Sequence, residues 1–205
     1  MDKLKKIFSV NKRVFVFLLC LMFIGVIFGS SLPIFLNNED KVLVSEYLSN
    51  FVSQINNGYD SLFLFKNSLI NNGIFAFLIW ILGVSIIGIP IILFLFFFKS
   101  FVFGFSISSI IVNYGFKGIL FSFSYIFPHQ VINLCVYGVL TNYSLIFSIK
   151  LIGMIFKKVD FNIRGAFNRY FRIFIFCFLV LILSSLFESF ISPLFMGFVF
   201  RLLSL

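Results

Sequence analysis

Apolar residues in this chain fall in unbroken runs of about 20, and a run of that kind leaves few choices of fold. At ~1.5 Å per residue, each can cross a hydrocarbon core of ~30 Å as an α-helix, which satisfies its own backbone polar groups in lipid. The runs cover residues 14–36, 74–98, 101–114 with an extension toward Gly118, 131–156 and 171–187. A transmembrane β-barrel would show alternating segments of ~10 residues, and the sequence has none. The 205 residues are 61% apolar and 11% charged, whereas a soluble domain carries roughly a quarter of charged residues. The reading is all-α: a single integral membrane domain over residues 1–205, a polytopic helix bundle of about five spans.

The net charge of +9 is carried by residues that flank the apolar runs. That placement fits a protein oriented in a bilayer and leaves no basic domain for nucleic acid. Lys3, Lys5, Lys6, Lys12 and Arg13 precede the first run, and a basic loop at 157–170 precedes the last. Both belong in the cytoplasm by the positive-inside rule, with the net acidic segment 37–72 outside. Gly29-Ser30-Ser31 has the look of a signal cleavage region. The preceding run is long for a signal core, however, so it reads as a retained first helix. In the outer segment Val44, Leu48, Phe51 and Ile55 recur at helical spacing. They predict an amphipathic helix that either lies on the bilayer or docks a partner through Leu48 and Phe51. Residues 119–130, stopped by Pro128-His129-Gln130, predict a re-entrant hairpin or interfacial turn on the outer side. The apolar tail, broken by Pro193, Gly197 and Arg201, either spans or dips back.

Small residues interrupt the runs in two places. Gly25 and Gly29 stand four apart on one helical face, a spacing that lets a second helix approach closely. Gly83, Ser85, Gly88 and Pro90 interrupt the second run, which predicts a kinked, closely packed central helix with Lys99 at its end. His129 and Glu188 are the ionisable residues nearest to spans that invite a functional reading. Their surroundings in the sequence suggest a polar turn and an interfacial position. Cys20, Cys135 and Cys177 lie in different runs without metal-ligand spacing. No nucleophile–histidine–carboxylate set, paired carboxylates or phosphate loop is present. The expectation is a protein that is not an enzyme and needs no metal or cofactor.

The stretch "WILGVSIIGIPIILFLFFFKSFVFGF" from Trp80, followed by "NYGFKGILFSFSYIFPHQ" from Asn113, resembles the stage II sporulation protein M (SpoIIM) family. The matching positions are Trp80, Gly83, Gly88, Pro90, Lys99, Gly104, Gly115, Gly118 and Pro128; Ser100 and His129-Gln130 depart from the family pattern. The resemblance implies a scaffold of the engulfment machinery. It would sit in the septal and engulfing membrane and recruit the peptidoglycan hydrolases SpoIIP and SpoIID for wall thinning. A homo-oligomer is compatible with that role. A transporter or permease subunit is the competing class, with the Pro90 and 119–130 discontinuities beside a substrate path.

Overall fold

The computed structural model describes residues 12–56, 60–85, 87–157 and 163–195, and among these the chain is helical with no strand. Helix α1 spans Lys12–Phe35, α2 Asn38–Asn56 and α3 Ser61–Gly83. The next helical segment, Gly88–Lys157, is divided at Gly115, whose φ of 59° and ψ of −135° are not helical. Its two parts are α4 (88–114) and α5 (116–157). Helix α6 spans Ile163–Leu186 and widens into a π-helical turn at Phe187–Ile191.

Gly115 sits in the left-handed region that L side chains disfavour, and the chain reverses there. Beyond it α5 runs back along α4: the rings of Tyr114 and Phe121 stack at 6.2 Å, and those of Phe103 and Phe127 lie 6.4 Å apart. Four helical stretches are long and apolar enough to cross a membrane: Lys12–Phe35, Ser61–Gly83, Gly88–Ile155 and Ile163–Phe195. The third doubles back at Gly115, which leaves five stretches of spanning length, the number the sequence predicts but with other bounds for the second and third.

The pairing of helices fixes which ends lie together. Helix α1 runs parallel to α4: Gly25 abuts Phe97 and Ser100, Gly104 abuts Val26, and Ser108 Oγ donates to Ser30 O at 2.6 Å. Helix α3 runs parallel to α5, through Tyr137 to Asn72, Ser144 to Ile79 and Ser148 to Gly83. Helix α6 is antiparallel to both, with Ser185 beside Ser68 and Tyr170 beside Trp80. The starts of α1 and α6, the end of α5 and the α3–α4 turn therefore share one end, rich in Lys and Arg. The α1–α3 connection, with α2, shares the other end with the Gly115 tip. Between them Ala76, Ile79, Ile92, Phe96, Leu140 and Leu181 form the buried centre.

Several boundaries differ from the sequence reading. The run 74–98 is not one kinked helix: α3 stops at Gly83, Val84, Ser85 and Ile87 are non-helical, and α4 starts at Gly88. Pro90 lies in the first turn of α4, where a missing N–H leaves no intrahelical bond unmade. Lys99 lies in the middle of α4 rather than ending a span. The polar stretch 61–72 is the first half of α3, started by Asp60, whose side chain accepts from Leu62 N at 2.9 Å. Residues 119–130 form no re-entrant segment; they are continuous helix in α5 through Pro128. At ~1.5 Å per residue α5 is roughly 60 Å long. Its first turns thus reach past the end of α3 and give α2 a surface to lie on. The basic loop is helical from Ile163, with 158–162 outside the described residues, and the tail is helical through 195, with 196–205 likewise outside.

Candidate functional site

The polar groups of this bundle gather at its two ends. At the basic end, Tyr170 OH donates to Trp80 O at 2.8 Å and Ser148 Oγ to Gly83 O at 2.6 Å, while Ser144 Oγ lies 2.6 Å from the Tyr170 hydroxyl and 3.2 Å from Ile79 O. A helix end leaves its last carbonyls unpaired, and each buried one costs free energy unless something donates to it. Tyr170 and Ser148 are the donors, with Ser144 on the Tyr170 hydroxyl. Gly83 makes room for them, since a Cβ there would run into the Tyr170 hydroxyl and lie 2.8 Å from Ser144 Cβ. Trp80 closes the same end, its ring 5.0 Å from Phe174 and 6.2 Å from Tyr170.

Toward the Gly115 end a longer polar column crosses four helices. Glu188, on the π turn, takes a hydrogen bond from Ser68 Oγ at 2.5 Å and lies 3.7 Å from His129 Nε2. Asn72 Nδ2 donates to the hydroxyls of Ser68 and Ser185 at 3.2 and 3.3 Å, while Tyr137 OH donates to Asn72 Oδ1 at 2.9 Å. Lys99 Nζ continues the column over the rings of Phe75 and Tyr137, at 5.0 and 5.7 Å from their centroids. His129 is thus not a turn residue without a carboxylate: it is buried in mid-helix, and its partner comes from 59 positions further along. Glu188 is half-buried in the bundle, and π turns of this kind recur at functional sites.

Above this column lies a cavity of about 440 Å³ between α2, α4, α5 and the π turn. Its walls include Leu43, Tyr47, Phe105 and Tyr125, and its polar lining is Ser106, Ser109, His129, Gln130 and Glu188. Ser109 Oγ is buried there without a hydrogen-bond partner. A second concavity, about 490 Å³, lies on the opposite flank of α2, between Val42, Ser45, Glu46, Ser49, Asn113 and Tyr114. Among the described residues no three His, Cys, Asp or Glu side chains converge as metal ligands.

The residues singled out from the sequence scatter among three places. Gly25, Gly29 and Gly104 form the α1–α4 seam: a Cβ on Gly25 would lie 2.9 Å from Phe97 O, and those on Gly29 and Gly104 would collide with Phe101 O and Val26 O. Trp80, Gly83, Gly88 and Pro90 build the α3–α4 turn, where Gly88 packs on the backbone of Leu82. Gly115 makes the hairpin, and Gly118 lets α5 close against Ile110 and Ile111. Pro128 lies one residue before His129 on α5. The docking pair is corrected in part. Leu48 is buried against Ile110, Phe121 and Tyr125, so it holds α2 to the hairpin and is not free for a partner. Phe51 is in α2, with its side chain outside the described residues.

Sequence reasoning passed over Ser68, Asn72, Ser109, Tyr137, Ser144, Ser148 and Tyr170. A signal for several of them exists: Ser68 with Asn72, and Ser144 with Ser148, are polar pairs four apart on helices, placed to bond across to a neighbour.

Five stretches of spanning length, a polar column inside the bundle and an amphipathic helix laid across one end define a polytopic helical membrane protein. The family model for Stage II sporulation protein M matches residues 14–193, and the chain belongs to that family. It is a sporulation-family membrane protein. No curated protein and no solved structure matches the chain.

Proposed function

We propose that the protein is a non-enzymatic membrane scaffold of sporulation engulfment, holding the hydrolases SpoIIP and SpoIID at the septal membrane for wall thinning and membrane migration. The basic end, with Lys12, Arg13, Arg164 and Arg172, faces the cytoplasm by the positive-inside rule, and α2 faces the wall. The observation that carries the reading is the outward face of α2. Val44 and Leu48 hold the helix to the hairpin, while Val42, Leu43 and Tyr47 are 62%, 64% and 73% exposed. With Glu46 and the adjoining concavity they offer a rigid apolar and acidic surface for a partner's extracytoplasmic segment.

The test is Val42→Asp combined with Glu46→Lys, both exposed and outside the packed side of α2. Membrane abundance should hold, and recovery of SpoIIP on pull-down from sporulating cells should fall about tenfold, the equivalent of ~1.4 kcal/mol at a contact centre. Stable protein with full recovery of both hydrolases would remove α2 from the docking surface. One feature favours a transporter instead, the ionisable His129–Glu188 pair within the bundle. Substrate flux in proteoliposomes, with hydrolase recovery unaffected by the α2 variant, would establish that reading.

A further inference from the structure

The cavity between α2 and the π turn has features that α2 docking does not use. A carboxylate stands in its lining: Glu188 takes one hydrogen bond from Ser68 at 2.5 Å on Oε2 and lies 3.7 Å from His129 on Oε1, so two oxygens keep acceptor capacity to spare. Three aromatic rings, Tyr47, Phe105 and Tyr125, line the same space. A carboxylate and ring faces together attract a cation with N–H donors, by charge-assisted hydrogen bonds and by the ring quadrupole. Near by, the unpartnered Ser109 hydroxyl and the Gln130 amide are donors suited to an anionic oxygen. Apart from Ser106, whose hydroxyl is turned back onto Val102 O at 2.9 Å, the remaining walls are aliphatic. The size falls at the lower end of small-molecule sites, roughly 300–1,000 Å³.

We propose that this cavity binds the headgroup of a bilayer lipid carrying a primary ammonium next to its phosphate, the ethanolamine phospholipid class. Glu188 and the rings hold the ammonium, Ser109 and Gln130 hold the phosphate, and the apolar walls meet the start of the acyl chains. A lipid is favoured over a soluble amine by the place of the cavity. Its rim is α2, an amphipathic helix at the end of the spanning bundle whose Leu43 and Tyr47 stay exposed, as on helices lying at the headgroup boundary. A bound lipid there would bridge α2 to α4, α5 and the π turn.

The test uses the full-length protein in mild detergent, offered equal amounts of phosphatidylethanolamine and phosphatidylglycerol of the same chain length, with bound lipid read by native mass spectrometry. One ethanolamine lipid should be retained in preference by about tenfold, as a charge-assisted bond implies. Glu188→Gln, which keeps an acceptor for Ser68, should remove most of that preference. Tyr47→Leu, on an exposed face where folding is not at risk, should lower it about twofold to threefold. Phosphatidylcholine, which lacks the N–H donors, should bind less well than the ethanolamine lipid. Equal retention of the ethanolamine and glycerol lipids overturns the proposal, as does an unchanged preference in both variants. Free ethanolamine phosphate binding as tightly as the lipid, or a partner's lysine taking the cavity in preference to it, also overturns it.

Discussion

The two ends of the bundle use hydroxyls and tyrosines differently. At the basic end Tyr170 and Ser148 are turned onto the last carbonyls of α3, with Ser144 on the Tyr170 hydroxyl, and each is buried. At the Gly115 end the polar groups engage one another through side chains, and part of the set borders a cavity: Glu188 is half-exposed, and Ser109 Oγ has no partner. Hydroxyls at the first end replace the water that a helix terminus would otherwise need. Those at the second end leave capacity for something that is not this chain. Polar bonding is closed within the chain at one end and left incomplete beside a cavity at the other.

The contrast can be broken most forcefully at Gly83. Gly83→Leu should destabilise by ~1–3 kcal/mol or more, because the new side chain must displace Tyr170 from the carbonyl it serves and Ser144 from the Tyr170 hydroxyl. A marked drop in the folded fraction on size-exclusion in detergent is the expected readout. Gly115→Ala at the other end meets no atom within 4 Å, so its cost is backbone strain alone, ~1–2 kcal/mol, seen as a lower thermal midpoint. Tyr170→Phe removes one donor from the capped end while keeping the ring against Phe147 and Trp80. The expected loss is ~0.6–1.5 kcal/mol in the same thermal assay, and a loss near zero would mean that water serves the Trp80 carbonyl instead. Pro90→Ala should change stability by less than ~0.5 kcal/mol, since proline in a first turn costs the helix no bond and alanine gains none.

How much of this was readable in the sequence depends on whether a residue's environment comes from its own helix or from another. Spanning runs are a property of the local chain, so the all-α membrane class, the number of spanning stretches and the close contact at Gly25 and Gly29 are legible, but not the bounds of the second and third stretches. Lys99 and Asn72 were misplaced because their polarity is compensated from elsewhere. Lys99 lies over Phe75 and Tyr137, and Asn72 is bonded by Tyr137 from 65 residues away. Lacking those partners, each reads as the edge of a membrane segment. His129 and Glu188 failed to pair in the sequence for the same reason. Pro90 is ambiguous in another way: proline in an apolar run marks either a kink or a helix start, and the glycine-flanked turn before it is what favours the start.

The account stands on α3 and α4 being separate helices joined by a turn at the basic end, since that turn sets the level of Lys99, the polar column and the cavity. The direct measurement is side-specific labelling of single cysteines at Ser49, Ser85 and Arg164, all exposed, with Cys20, Cys135 and Cys177 replaced. In intact cells and in inverted vesicles, an impermeant maleimide should reach Ser85 and Arg164 from one side and Ser49 from the other. A cysteine at Ser85 that stays unreactive from both sides, as in the middle of one continuous helix through Pro90, would contradict it, and so would labelling of Ser85 from the side that labels Ser49.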